Sequence, residues 1–131
     1  MTQINISASL DTKHLEVAYP FKAKYGNYIN GAFVEPKSGQ YFENCSPITG
    51  EVICEMARSN ADDVNSAIDA GHAAFPAWGK TSLAERANIL NKIADVMEAN
   101  LMLIATAETI DHGKPIRETV NADMALAVDH F

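Results

Sequence analysis

The residue in this 131-residue chain best placed to do chemistry is a carboxylate near a predicted helix end. Glu108-Thr109-Ile110-Asp111-His112-Gly113-Lys114-Pro115 puts Asp111 in the last turn of that helix. The C-terminal end already bears partial negative charge, so an acid there costs a few tenths to about 1 kcal/mol unless compensated. Lys114 could compensate it, and so could a cation held by Asp111 and nearby carbonyls. On position alone, an exposed acid beside Lys114 is the simpler reading. The histidines are His14, His72, His112 and His130, and two of them follow aspartates, in Asp111-His112 and Asp129-His130. A metal pair would have to converge from two different helices, so solvated positions are expected instead. Cys45 and Cys54 form no CxxC and have no histidine at zinc spacing, which predicts free thiols in a reducing compartment. Cys54 lies in the strand-like run Val52-Ile53-Cys54-Glu55-Met56, with no adjacent base to lower its pKa, and is a poor nucleophile candidate. The glycines compose neither GxGxxG nor GxxxxGK[ST], so no phosphate cradle is visible, and GxSxG and HExxH are also missing.

The elements around these residues follow from local chemistry. Residues 1–25 are polar without a sustained period and predict an extended arm. Tyr28-Ile29-Asn30-Gly31-Ala32-Phe33-Val34 predicts a tight hairpin, because Asn-Gly accepts the two positive φ angles of a type I′ turn. Turns follow at Pro36-Lys37-Ser38-Gly39 and Pro47-Ile48-Thr49-Gly50, with strands over 40–45 and 52–57. The expectation is a small antiparallel β unit. Asn60 then caps a helix whose apolar stripe includes Val64, Ile68, Phe75 and Trp78, closed by Pro76 and Gly79. Ser82-Leu83-Ala84-Glu85 is a capping box opening a second helix. Asn100 is predicted to cap a third, ended by Gly113. Pro115 is predicted in the first turn of a fourth, whose stripe continues to Phe131 without a stop signal.

About one domain of chain is present, enough to bury a core. The net charge of −7 argues against binding nucleic acid or an anionic membrane, both of which select basic surfaces. No segment carries the roughly 20 apolar residues of a membrane span, and Met1 to Tyr19 lacks the pattern of a secretory signal. A cytoplasmic location is the default expectation.

Taken in order, these segments resemble the aldehyde dehydrogenase superfamily. Ser46-Pro47-Ile48-Thr49-Gly50-Glu51-Val52-Ile53 is similar to its Asn-Pro-x-Thr-Gly-Glu-x-Ile signature, with Ser46 replacing the usual Asn. Ala61-Asp62-Asp63-Val64 with Ala73-Ala74-Phe75 and Trp78 resembles its first helix, and Glu85-Arg86 through Leu90-Asn91-Lys92-Ile93-Ala94-Asp95 its second. Glu108 to Pro115 is similar to Glu-Thr-x-Asp-Asn-Gly-Lys-Pro, with His112 replacing Asn. The resemblance runs from about Tyr25 to Phe131, and Pro115-Ile116-Arg117-Glu118-Thr119 with Asp129-His130-Phe131 looks closest to bacterial acetaldehyde dehydrogenases.

The resemblance implies an α/β fold in which residues 26–131 are the N-terminal portion of an NAD(P)-binding domain, a small antiparallel β unit followed by four helices and cut within the fourth. It implies a longer, homo-oligomeric oxidoreductase, a dimer or tetramer. That enzyme oxidises an aldehyde, such as acetaldehyde, to the carboxylic acid through a cysteine thiohemiacetal, with hydride passing to NAD or NADP. In family order its catalytic and cofactor-gripping groups lie beyond Phe131, so the 131 residues alone are expected to be inactive. One family site maps here: a structural monovalent cation held by backbone carbonyls and an aspartate, at positions corresponding to Asn44, Cys45 and Asp111. A noncatalytic helical binding module, or a semialdehyde dehydrogenase relative, are the alternatives.

Overall fold

The structure, a computed structural model, describes residues 17–131; residues 1–16 of the expected arm lie outside the described residues. Five short strands come first: β1 (Lys24–Tyr25), β2 (Asn27–Ile29), β3 (Ala32–Val34), β4 (Tyr41–Cys45) and β5 (Val52–Ala57). The β2–β3 hairpin turns at Asn30 (φ 52°) and Gly31 (φ 80°), the two positive angles that a type I′ turn requires. Tyr28 and Phe33 face each other across it, ring centroids 5.0 Å apart. Gly26 precedes the hairpin, where a Cβ would lie 2.4 Å from the Val34 carbonyl oxygen, so only glycine fits.

The β unit differs from the expected antiparallel one in a single pairing. Lys24 and Tyr25, read from sequence as part of the arm, form β1 and pair parallel with β5, giving the order β1-β5-β4 in a mixed sheet. The hairpin stands as a separate two-stranded sheet. Along β4–β5 the register shifts at Asn44/Cys45, so that Asn44 faces Cys54 and Cys45 faces Val52. The shift leaves Ile53 as an extra residue in β5. A bulge of this kind breaks the alternation of faces, and both Ile53 and Cys54 are buried.

Three helices follow: α1 (Ala61–Trp78), α2 (Leu83–Ala99) and α3 (Leu101–His112). Asn60 caps α1, its side-chain oxygen accepting from the Asp62 and Asp63 amides, while the Asp63 carboxylate accepts from the Asn60 amide at 2.9 Å. Asp63 also accepts from the Lys37 amide at 2.9 Å, which ties the start of α1 to the turn after β3. These backbone donors, Asn60 first, hold its carboxyl below the usual aspartate range. Pro76 sits inside α1, which continues to Trp78 before stopping.

Ser82 and Glu85 form the expected reciprocal box at the start of α2. Asn100 does not cap α3. Its amide donates instead to the Val96 carbonyl at 2.8 Å, serving the end of α2, because only a single residue separates the two helices. Gly113 ends α3 in the left-handed conformation (φ 82°) and passes close to Pro47.

The fourth helix is not regular. Pro115 is its N-cap rather than a first-turn residue, and α4 (Ile116–Glu118) widens into a π-helical segment (Thr119–Met124) before α5 (Ala125–Asp129). The buried Thr119 hydroxyl lies at this widening, 3.0 Å from both the Ile116 carbonyl and the Thr109 hydroxyl. The buried residues come from β5, α3 and the π segment, with α3 packed on the π segment: Ile53, Cys54, Ala105, Thr106, Ile110 and Thr119. The long helices α1 and α2 keep exposed apolar side chains. Among the described residues no helix is long and apolar enough to cross a membrane.

Candidate cation-binding site

The strand β4 and the end of α3 are brought together by a serine. Ser46 is 2% exposed, and its hydroxyl donates to the Ile110 carbonyl at 2.9 Å while accepting from the Ile48 amide. One side chain thereby satisfies a buried carbonyl in the last turn of α3 and closes the turn after β4. This anchor delivers Asp111 to β4, where the Asn44 amide donates to its Oδ1 at 2.6 Å. The helix-end acid is therefore compensated by an amide donor from a residue 67 positions away. Lys114, the compensating partner offered by the sequence, turns elsewhere: its ammonium pairs with Asp123 at 2.5 Å, and that bond raises its pKa.

Beside the Asn44–Asp111 pair lies a cavity of about 270 Å³ lined by Phe21, Tyr25, Asn44, Cys54, Met56 and Asp111. Of the three sequence candidates, Asn44 and Asp111 meet at its wall. The Cys45 side chain is exposed and does not line it, so Cys45 can contribute only main-chain atoms. The sheet ladder is irregular at Asn44/Cys45, the same two residues. Phe21, Tyr25 and Met56 were missed by spacing. Met56 follows Cys54 by two in one strand, a legible same-face signal, whereas Phe21 and Tyr25 lie in the arm and carried none.

Chemically the site offers the Asp111 carboxylate, a hard oxygen ligand of the kind a hard cation takes, beside an Asn44 amide that donates to it. It offers no nucleophile. Cys54 is buried; desolvation pushes its thiol pKa up and the Asp111 charge adds to this, against the opposing amide of Asn44. Both cysteines are free thiols. Among the described residues no three His, Cys, Asp or Glu side chains gather into a metal-binding group.

Residues 33–131 match the sequence profile of the aldehyde dehydrogenase family. The chain belongs to that family. Relatives within it include the EPTC-inducible aldehyde dehydrogenase of Rhodococcus erythropolis, 62% identical over 85% of this chain. They also include acetaldehyde dehydrogenase 2 of Cupriavidus necator, 58% identical over 89%, and acetaldehyde dehydrogenase of Pseudomonas aeruginosa, 60% over 85%. Among solved aldehyde dehydrogenases, one from Burkholderia cenocepacia superposes on 82% of this chain and 22% of its own, with TM-score 0.79 and 34% identity. An NAD+ complex from Bacillus cereus covers 80% of this chain and 22% of its own, with TM-score 0.77 and 31% identity. The chain spans about a fifth of these relatives' length, 22% to 23% of the curated ones.

Proposed function

We propose that this chain is the structural N-terminal part of an NAD-dependent aldehyde dehydrogenase acting on a short-chain aliphatic aldehyde such as acetaldehyde. The observation that carries the reading is the family match over residues 33–131. Two relatives near 60% identity are named acetaldehyde dehydrogenases, which supports the short-chain substrate. Neighbours solved with NAD support NAD over NADP. The glycines at positive φ, Gly31, Gly39, Gly50 and Gly113, sit in turns and at a helix end, which supports placing the dinucleotide grip in sequence outside residues 1–131. The hydride transfer and the thiohemiacetal cysteine belong, in this reading, to sequence outside residues 1–131. What these residues supply is support, together with a structural monovalent cation site made by the Asp111 carboxylate and the main chain at Asn44 and Cys45. A homo-oligomeric, cytoplasmic enzyme completes the proposal.

A chimera tests it. Residues 1–131 are joined to the remainder of the Pseudomonas aeruginosa relative, and acetaldehyde-dependent NADH formation is followed. The chimera is expected to turn over and the 131-residue chain to be silent. Turnover by the short chain, or a folded but inactive chimera, would overturn the reading. The chimera's melting temperature should also fall when sodium or potassium is replaced by a bulky organic cation. That sensitivity should be lost in Asp111→Ala.

A further inference from the structure

The last helix keeps one face covered along its length, and it does so at an uncommon spacing. Ile116, Val120, Met124 and Val128 are half-buried, every fourth residue, with the buried Thr119 and the half-buried Asp123 beside them. In a regular α-helix a step of four residues overshoots one turn by about 40°, so the row would drift by about 120° between Ile116 and Val128. The π-helical segment (Thr119–Met124) lies between those ends. A widening of this kind takes up one extra residue in a turn, which cancels about 100° of the drift. The row therefore runs nearly straight, with the π segment packed on α3 and α5 packed on α2.

π turns are rare and occur mostly as single bulges, so something must favour this one. Two polar contacts are present. The Thr119 hydroxyl donates to the Ile116 carbonyl, which leaves the Thr109 hydroxyl to donate to Thr119. That contact ties the start of the segment to α3. The pairing of the Lys114 ammonium with the Asp123 carboxylate differs, because it spans the widening from before its first residue to near its last. Straightening the segment would carry Asp123 round with α5 and away from Lys114, which also feels the charges of Glu108 and Glu118. A partly exposed ion pair stabilises little by itself, yet a small bias decides between two helix phases of similar stability.

We infer that the Lys114–Asp123 ion pair latches the π-helical widening and so fixes the rotation of α5 against α2. Lys114 and Asp123 are positioning residues. Without the latch the segment straightens and α5 turns by about 100°, each residue taking the place now held by its successor. Leu126, open to solvent, then moves into the half-buried place of Ala127, and Val128 moves out to the exposed place of Asp129. The inference depends on the geometry of this chain and is independent of the aldehyde and of the cation site.

Thiol labelling of the 131-residue chain tests it. Leu126→Cys and Val128→Cys are introduced one at a time with Cys45→Ser, which removes the exposed native thiol and leaves Cys54 buried. Each is labelled with a water-soluble maleimide, and its rate is divided by that of the same chain unfolded in urea. With Lys114 in place, Leu126→Cys should label faster than Val128→Cys. Lys114→Met should reverse that order, and Lys114→Arg, which keeps the charge, should retain it. Deleting Ala122, an exposed residue of the π segment, removes the extra residue itself. The helix then becomes regular without turning α5, so the deletion should keep the parental order even when combined with Lys114→Met. An unchanged order in Lys114→Met, equal labelling at the two positions, or a reversed order in the Ala122 deletion overturns the inference. The readout is side-chain exposure rather than turnover, so an error in the assigned activity would leave the result unaffected.

Discussion

At the scale of single residues, the molecule is joined by polar side chains that each satisfy two backbone or side-chain groups. Ser46 bridges a turn to α3 and Asp63 bridges a turn to α1. Asp63 makes a pH prediction with a definite sign. Its folded pKa lies below the ordinary 3.8, because the Asn60 and Lys37 amides favour the charged form. A depressed carboxyl contributes stability that is fully present above the unfolded value and lost as pH falls through the folded one. Asp63→Asn should therefore be less stable than the parent at neutral pH, and the difference should shrink progressively below pH 3.8. Subtracting the two unfolding curves across pH cancels other acids with lowered values, such as Glu85. A gap that stays constant down to strong acid would show that the charge of Asp63 plays no part.

At the scale of elements, caps decide where helices begin, and they were the most legible part of the sequence. Asn60, Ser82 and the Asn30-Gly31 turn act within a few residues of themselves, so their types and spacing suffice. Asn100 shows where that logic stops: two helices share it, and its side chain goes to the end of α2. Ser82→Ala should then cost about 1 kcal/mol in urea unfolding, the usual worth of a side-chain cap. Asn100→Ala should leave the N-terminus of α3 unaffected while releasing the Val96 carbonyl. A Ser82→Ala cost below about 0.2 kcal/mol would mean that Glu85 and solvent replace the hydroxyl fully. The parallel pairing of β1 with β5 was not legible, because two residues carry too little pattern to name a partner 31 positions away. The π-helical widening at Thr119 was equally hidden, since an apolar stripe does not report whether a turn holds one extra residue. Of the candidate site, local chemistry exposed only the misplaced charge of Asp111, while Asn44 and Cys45 came from the family resemblance. That Asn44 answers it follows from Ser46 holding β4 against α3, a tertiary contact no local spacing encodes.

At the scale of the whole molecule, the exposed apolar side chains of α1 and α2 set its behaviour in solution. The buried residues come from β5, α3 and the π segment, while Leu83, Ile89, Leu90 and Val96 of α2 add to the open apolar surface of α1. Apolar atoms on any protein surface are normal; rows of large side chains on two successive helices are not. The 131-residue chain should accordingly bind an environment-sensitive apolar dye at neutral pH and self-associate as its concentration rises. The net charge of −7 opposes that association, so added salt should strengthen it by screening the repulsion. If the dye reports the α1 face, Ile68→Asp and Phe75→Asp should each reduce its fluorescence. Three observations made together would contradict this account: a sharp cooperative melt, no dye signal, and a monomer at every concentration and salt. They would mean that α1 and α2 cover their own apolar residues in solution.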